Sequence, residues 1–206
     1  MAEKVIFLDI DGVLQPPSSQ KRFDHITAMR EDAPEEFKQF RPLTDVYREL
    51  DERLGVDYRR TGEGYSPYDV AAVYFDWDKT AIAELRRILD ETGAMIVISS
   101  DWRIEQPNAL KRLIHFFNIY DLGEYIIDCT TVERTSKLAK TKEYENILNS
   151  RAIEILEYLK EHPEIKKWVA IDDMNLVKDL SAKHAVTTVS RLKKEDADKC
   201  IKILNS

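Results

Sequence analysis

The chain has 206 residues, of which 43% are hydrophobic and 33% charged, so it is able to bury a core and is not a disordered tail. Its net charge of −7 argues against capture of nucleic acid by bulk charge, although a local basic pocket is compatible with that balance. Two distant cysteines predict reduced thiols, and neither a signal-peptide pattern nor a bilayer-length apolar run is present. We therefore expect a soluble cytoplasmic protein with no membrane span.

The first predicted strand leads directly into a group of residues suited to chemistry. The apolar run from Val5 to Leu8 is typical of a buried strand inside a parallel sheet, and Asp9, Asp11 and Gly12 follow it. Buried carboxylates must be paired, hydrogen-bonded or bound to a metal, because their desolvation is otherwise prohibitive. An ionised aspartate can attack phosphorus, and a second carboxyl can exchange a proton with the leaving group. The backbone N–H groups at a glycine turn can face an anion.

Residues 18–70 come after a loop rich in proline and serine, and they lack a clean hydrophobic period. A helix is predicted from Leu43 to Leu54, where Gly55 ends it. A segment of this length directly after a strand with reactive side chains predicts a lid or small cap over the strand ends. A purely structural excursion is the alternative.

Strands and helices alternate from Asp78 onward. Buried strands are predicted at residues 95–98, 125–127, 168–171 and 185–189. Helices are predicted between Asp78 and Gly93, from Pro107, across residues 152–159 and across residues 197–204, each with apolar residues at spacings of three and four. The alternation predicts an α/β fold, a doubly wound, Rossmann-like parallel sheet with helices on both faces.

Three of the predicted strands end in reactive side chains. Asp9 and Asp11 follow the first strand, Ser99 follows the strand at residues 95–98, and Asp172 and Asp173 follow the strand at residues 168–171. Ligands of such sheets bind outside the carboxyl ends of the strands. We therefore expect these side chains to belong to one site.

The segment Asp9-Ile10-Asp11-Gly12-Val13 resembles the first motif of the haloacid dehalogenase (HAD) superfamily of phosphohydrolases. The order of the later features is similar to the four motifs of the HAD phosphatases: a serine after a strand, a basic residue opening a helix, and an Asp-Asp pair after a strand. This resemblance covers residues 4–14 and most of 77–189. It implies a HAD-like fold, and we expect a single domain over residues 1–206 with the insertion at 18–70.

The resemblance implies a role for each matching residue. Asp9 would be the nucleophile that forms an aspartyl-phosphate. Asp11 would be the general acid that protonates the leaving oxygen, and afterwards the base that activates water. The hydroxyl of Ser99 would donate to a phosphoryl oxygen, and Gly12 and Ser100 are expected to bind phosphate as well.

The basic residue of the third motif is the least specific assignment. Arg151 lies at the start of the predicted helix that leads to the Asp-Asp strand, where the family usually places Lys or Arg. Its guanidinium would hold the phosphoryl group and keep Asp9 ionised. Lys137 and Lys142 are rivals if the helix begins earlier, and an ordinary surface arginine is the remaining alternative.

The resemblance also implies a Mg²⁺ ion. Its ligands would be the carboxylates of Asp9, Asp172 and Asp173 and the backbone carbonyl of Asp11, with water completing the site. A carboxylate approaching a phosphate is repelled by about 4 kcal/mol per charge pair at about 4 Å and an effective dielectric near 20. A divalent cation offsets this repulsion.

The sequence Ser99-Ser100-Asp101-Trp102-Arg103 is similar to a narrower subgroup, the HAD domains associated with RNA-repair proteins. This likeness makes Arg103 a candidate for substrate contact. A salt-bridged surface position is the equally weighted alternative.

The leading prediction is a Mg²⁺-dependent phosphomonoester hydrolase that acts on a phosphorylated small molecule, phosphoprotein or nucleotide. A receiver-like phosphoacceptor shares the sheet and the metal, but it carries its acidic pair on the first strand and its acceptor on a later one. A catalytically silent binding domain is the third hypothesis. Nucleic acid as a partner is compatible with the motifs but is not supported by the charge of the chain.

Overall fold

The computed structural model describes residues 2–104, 108–131 and 135–206. Within these ranges five strands form one sheet: β1 (Lys4–Leu8), β2 (Met95–Ile98), β3 (Ile126–Cys129), β4 (Lys167–Asp172) and β5 (Ala185–Thr187). The strand order is β3-β2-β1-β4-β5, so the first strand lies in the centre. Every pairing is parallel, which confirms the α/β parallel sheet predicted from the sequence.

Each connection between consecutive strands contains at least one helix, as parallel strands require. The helices are α1 (Arg22–Ala28), α2 (Leu43–Leu54), α3 (Pro67–Ala71), α4 (Lys79–Thr92), α5 (Ala109–Asn118), α6 (Thr135–Leu138), α7 (Ser150–Glu161), α8 (Val177–Leu180) and α9 (Lys194–Asn205). Pro107, which the sequence predicts to open α5, lies outside the described residues. In the part of the chain that the structure describes, no helix combines the length and the apolar character needed to cross a membrane.

Helices cover both faces of the sheet, because side chains alternate between the faces along each strand. On β1, Ile6 and Leu8 belong to the larger hydrophobic cluster, to which α2, α4, α5 and α9 contribute. Val5 and Phe7 belong to a second cluster, where α7 and α8 pack. These four side chains are at most 1% exposed. Burying a side chain of this size stabilises the fold by about 1.5–3 kcal/mol, so β1 anchors both halves of the core.

Capping residues set several helix ends as the sequence predicts. Asp78 is the N-cap of α4, and its carboxylate accepts hydrogen bonds from the N–H groups of Thr80 and Ala81 at 2.9 and 3.0 Å. Gly55 and Gly93 end α2 and α4 with φ angles of 64° and 67°. Glycine reaches this left-handed conformation without a steric cost, which confirms the predicted ends of both helices.

The ends of β3 and β5 each lie two residues from the predicted ends, whereas β1 and β4 differ from their predicted ranges by at most one residue at either end. β3 covers Ile126–Cys129 where the sequence predicts 125–127, because a 3₁₀ turn at Gly123–Tyr125 precedes it. β5 ends before Val189, the predicted last residue, which is 72% exposed. The following residue, Ser190, has a φ of 72°, so the chain turns away from the sheet at this point.

The insertion at residues 18–70 holds α1, α2 and most of α3. Several of its apolar side chains, among them Leu43, Val46, Leu50, Tyr58 and Tyr65, are buried in the same hydrophobic cluster as Ile6 and Leu8 of β1. The insertion therefore packs onto the core of the sheet over an extensive apolar contact.

Candidate active site and metal centre

The carboxyl ends of three adjacent strands bring predicted site residues together. Backbone hydrogen bonds continue past the strand ends: the N–H of Asp9 donates to the carbonyl of Ile171 at 3.0 Å, and the N–H of Ser99 donates to the carbonyl of Leu8 at 2.8 Å. Because β1 lies between β2 and β4, the residues after these strands share one edge of the sheet. Asp9, Ser99 and Asp172 therefore stand side by side.

Three carboxylates form a compact cluster at this edge. One oxygen from each of Asp9, Asp172 and Asp173 lies within 4.8 Å of the others. Asp9 and Asp172 are 6% and 3% exposed, whereas Asp173 is exposed. Burial first, and then the charge of Asp9, raise the pKa of Asp172 to about 7. Crowded hard oxygen atoms of this kind fit a divalent cation such as Mg²⁺, whose charge would offset their mutual repulsion.

Gly12 lies against this cluster and has no room for a side chain. An added Cβ atom would lie 2.5 Å from both Cβ and Oδ2 of Asp173, and the φ angle of Gly12 is +73°. The N–H of Gly12 donates to the carbonyl of Gln15 at 2.8 Å, so this donor is used inside the turn and does not face an anion as the sequence suggests. The observed role of Gly12 is close approach to Asp173.

Asp11 stands apart from the carboxylate cluster and faces solvent. It accepts hydrogen bonds from Nε1 of Trp102 at 3.0 Å and from Nε2 of Gln15 at 3.1 Å. The pKa of Asp11 is raised, chiefly because its surroundings remove part of its hydration. Asp173 and Asp101 add to that rise, while Trp102 opposes it. A carboxyl with a raised pKa can hold a proton closer to neutral pH than an ordinary aspartate does.

Two buried hydroxyls follow β2 beside Asp9. Ser99 and Ser100 are at most 1% exposed. Oγ of Ser99 accepts a hydrogen bond from Oγ1 of Thr130 at 3.4 Å. Among the described residues, Oγ of Ser100 has no partner at normal hydrogen-bond geometry, yet it lies close enough to Asp9 to favour the ionised carboxylate. A buried hydroxyl without a settled partner at this edge is a suitable donor to a bound anion.

Arg151 is the basic residue that reaches Asp9. The side chain of Asn149 caps α7 by accepting from the N–H of Arg151 at 2.9 Å, and the guanidinium of Arg151 is buried. Its Nη1 lies 3.4 Å from Oδ1 of Asp9, and its Nη2 donates to Asp101 at 2.9 Å. Burial raises the pKa of Asp9, and Arg151 is the largest influence in the opposite direction. The rival residues Lys137 and Lys142 are exposed.

Arg103 is 7% exposed and lies behind the site, not on the surface. Its Nη2 donates to the carboxylate of Glu154, its Nη1 to the carbonyl of Ser100, and its Nε to the carbonyl of Thr130 at 2.8 Å. Each of the three guanidinium nitrogens therefore has a protein acceptor. These hydrogen bonds join α7 to the segments after β2 and β3. The alternative prediction of a salt-bridged position at the surface for Arg103 is wrong, because its salt bridge is buried.

Glu154 is a buried acid beside the site that no sequence motif marks. Its side chain is 6% exposed, and it accepts from Arg103 and also lies 3.8 Å from Nε of Arg151. The available signal was its position three residues after Arg151 on one helix, because such residues share a helix face. An acid on that face, between the apolar residues Ile153 and Ile155, indicates a buried partner of positive charge.

An open pocket of about 410 Å³ adjoins Asp11. Residues of the insertion line one side of it: Arg22, Tyr68 and Asp69. The guanidinium of Arg22 lies 4.3 Å from the ring of Tyr68. Residues of the sheet and its helices, including Trp102 and Arg112, line the other side. The pocket therefore opens beside Asp11 and lies between the insertion and the segment after β2.

One family model matches the chain over residues 5–197, and its description is the HAD domain in Swiss Army Knife RNA repair proteins. Neither the curated proteins nor the solved structures include a match. The matched range contains every motif residue discussed above, from Asp9 to Asp173, and it includes the insertion. The chain therefore belongs to the HAD domains found in Swiss Army Knife RNA repair proteins.

Proposed function

We propose that this protein is a Mg²⁺-dependent phosphomonoester hydrolase that acts through a covalent aspartyl-phosphate on Asp9. Membership of the HAD family supports a hydrolase in general. The observation that carries the more specific proposal is the meeting of Asp9 with Asp172 and Asp173 within 4.8 Å at a strand-end edge. Arg151, 3.4 Å from Asp9, adds the positive charge that such an edge needs to receive a phosphate.

In the first half-reaction, a carboxylate oxygen of Asp9 attacks phosphorus. The bond from that oxygen to phosphorus forms while the bond to the leaving oxygen breaks, and Asp11 gives its proton to the leaving oxygen. The raised pKa of Asp11 supports this assignment, because a general acid has to retain a proton until it is needed. Trp102 holds the carboxyl through its indole N–H at 3.0 Å.

In the second half-reaction, water attacks the phosphorus of the aspartyl-phosphate. Asp11, now a carboxylate, accepts the proton of that water, and the bond between phosphorus and Asp9 breaks. Inorganic phosphate leaves and both carboxyl groups return to their starting states. Arg151 holds the phosphoryl oxygens throughout, with Ser99 and Ser100 as hydroxyl donors.

Asp9, Asp172 and Asp173 would hold Mg²⁺, together with the backbone carbonyl of Asp11. When bound, the ion supplies positive charge that offsets the repulsion between the Asp9 carboxylate and the phosphate. The ends of β1 and β4 hold the three carboxylates close together without an ion, and Gly12 lets the loop after β1 approach Asp173.

The insertion at residues 18–70 is proposed as a cap over the leaving-group pocket, since Arg22, Tyr68 and Asp69 line one side of it. Tyr68 is 45% exposed, and its ring lies 5.7 Å from the ring of Phe23, which is 44% exposed. Exposed aromatic rings beside an open pocket suit a base that stacks. With the family's description, this favours a phosphorylated nucleotide or RNA end over a phosphoprotein or another small molecule.

A cytoplasmic location is also part of the proposal. Both cysteines of the chain are free thiols, Cys200 buried and Cys129 partly buried. Burial raises the pKa of the Cys129 thiol to about 11, so it is a poor nucleophile. Unreactive, unpaired thiols are typical of proteins in a reducing compartment.

The test is turnover of p-nitrophenyl phosphate with Mg²⁺ and with EDTA. Asp9→Asn should lose activity by at least a thousandfold, and EDTA should abolish it. Asp11→Asn should still take phosphate from this substrate, whose leaving group needs no acid, but should release it slowly. Intact-protein mass spectrometry should then detect a phosphoenzyme.

The matched control is Asp90→Asn, since Asp90 is an exposed acid on α4. It should retain the activity of the unmodified chain. Full activity of Asp9→Asn would contradict the covalent mechanism. Undiminished activity in EDTA would contradict the metal requirement.

A further inference from the structure

A second concave surface lies at the β5 edge of the sheet, away from the carboxylate cluster. This β5-edge groove has a volume of about 900 Å³. Residues of β4, β5, α8, α9 and the adjoining turns line it. Its apolar part includes Trp168, Val186 and Ile203. The proposed hydrolase mechanism uses none of these residues.

The groove carries positive charge in a chain whose net charge is −7. Five lysines and one histidine are among its lining residues, which include no aspartate, glutamate or arginine: Lys166, Lys167, Lys183, Lys199, Lys202 and His184. Lys199 pairs with Asp196 at 3.1 Å, and Lys166 donates to a backbone carbonyl. Lys167, Lys183 and Lys202 have no ion pair or side-chain hydrogen bond among the described residues. These ammonium groups are available to an acidic ligand.

The edge of β5 offers backbone groups to the same ligand. β5 is the last strand on its side of the sheet within the described ranges. The carbonyl of His184 and the N–H of Thr188 form hydrogen bonds with β4. Because the backbone groups of successive residues in a strand point to opposite sides, the N–H and carbonyl of Thr187 and the carbonyl of Ala185 point away from β4, toward the open edge. Oγ1 of Thr187, inside the groove, is buried and has no hydrogen-bond partner in the part of the chain that the structure describes.

We propose that the β5-edge groove binds an extended, acidic polypeptide segment, which lies beside β5 with its carboxylates against the free lysines. Backbone hydrogen bonds to Thr187 would fix the segment, and alternate apolar side chains would contact Trp168, Val186 and Ile203. The lysines would give specificity for acidic sequences and speed their association. This site is independent of the proposed phosphatase activity.

Two other occupants fit the groove less well. A second copy of this chain would bring two sets of lysines together, and their repulsion opposes edge-to-edge pairing. Nucleic acid would use neither the open backbone edge nor an arginine fork, which is the common partner of phosphate. The rings of Trp168 and His184 are stacked on each other at 4.2 Å between centroids, so one face of each ring is covered and is not open to stacking by a nucleic-acid base.

The test uses fluorescein-labelled octapeptide pools in which Asp or Glu alternates with Val, Ile or Thr. The comparison probes are pools with Lys in place of the acids, pools with N-methylated backbones, and a ten-nucleotide oligouridylate. Fluorescence anisotropy should show saturable binding of the acidic pool alone. Hydrogen exchange should show slower exchange at the Thr187 amide when that pool is bound.

The variant Lys183→Glu/Lys202→Glu should weaken binding of the acidic pool by at least tenfold. The control Lys79→Glu/Lys140→Glu, with the same change of charge at exposed lysines elsewhere, should not. Both variants should keep the turnover of the unmodified chain. The proposal is overturned if the acidic pool does not bind, if oligouridylate binds as tightly, or if N-methylation of the backbone has no effect.

Discussion

The buried Arg103–Glu154 pair gives the sharpest prediction about stability. The side chains of Arg103 and Glu154 are only 4% and 6% exposed, so each charge depends on the other. Removing one partner of a buried ion pair costs about 3–5 kcal/mol, because the remaining charge is left in a poorly hydrated place. Arg103 keeps its bonds to the carbonyls of Ser100 and Thr130. We therefore expect Glu154→Gln to lower the free energy of unfolding by about 3 kcal/mol, at the low end of that range.

The double variant Arg103→Met/Glu154→Leu should be more stable than the losses of its two component single variants, Arg103→Met and Glu154→Leu, imply. It removes both charges and leaves apolar groups of similar length, and such replacements are often close to neutral. Each single variant should lose about 3 kcal/mol, and the double variant should lose at least 2 kcal/mol less than their sum. Urea unfolding followed by circular dichroism measures all four proteins, and an unchanged slope with urea shows that only stability has changed.

The same four proteins decide the role of Arg103. If it only supports the loop after β2, the double variant should bind substrate with a KM near that of the unmodified chain. A loss below about 0.5 kcal/mol for Glu154→Gln, which is typical of a surface position, would refute the reasoning from burial. A large rise in KM in a stable double variant would instead favour direct contact between Arg103 and the substrate.

Three further predictions concern the metal and phosphate site. Gly12→Ala should lower the free energy of unfolding by about 1–2 kcal/mol, because the residue has a positive φ. It should also displace Asp173 and so reduce the rise in Tm that Mg²⁺ is expected to cause. An unchanged rise in Tm would contradict the close approach of Gly12 to Asp173. The pKa of Asp172 is about 7 in the folded protein without metal and 3.8 in the unfolded chain, so between these values only the folded protein keeps the proton. In EDTA the free energy of unfolding should therefore fall as the pH rises through this window, by at most about 4 kcal/mol. Mg²⁺ should recover this loss, and urea midpoints that do not depend on pH in EDTA would refute it. Arg151→Lys should raise KM for p-nitrophenyl phosphate about tenfold, because a two-pronged guanidinium donor is replaced by a single ammonium charge. The control Lys142→Gln should leave KM unchanged. Equal effects of the two variants would mean that another basic residue binds the phosphate.

Much of the sheet could be predicted because local patterns agree with the final packing. β1 is a continuous apolar run, and the structure buries it on both faces in the centre of the sheet. The meeting of Asp9 with Asp172 could also be anticipated, since both follow buried strands and parallel strands end at one edge. Periodicity and the chemistry of buried carboxylates are enough for this part of the site.

The surroundings of Arg103 could not be predicted in the same way. Whether an arginine is buried depends on what faces it, and Glu154 reaches it from a helix far along the chain. The turn at Gly12 shows a similar limit: the sequence indicates a sharp turn, but only the folded chain shows that its N–H bonds to Gln15.

The insertion resisted prediction for a different reason. Its buried residues, such as Tyr58 and Tyr65, come from short, irregular segments and pack against α5, so no helical or strand period marks them. Its pocket-lining residues Arg22 and Tyr68 are brought together by that packing and are far apart in sequence. The sequence could predict that a segment lies here but not which of its side chains line the pocket beside Asp11.

The central place of β1 has a consequence for how the proposed ion site would form during synthesis. Asp9 follows β1 and is therefore made well before Asp172 and Asp173, which lie at the end of β4. A nascent chain that stops before β4 contains Asp9 but lacks Asp172 and Asp173. If Mg²⁺ binds at the proposed site, tight binding should therefore appear only in chains that have assembled the sheet as far as β4, and it would report that this strand is in place.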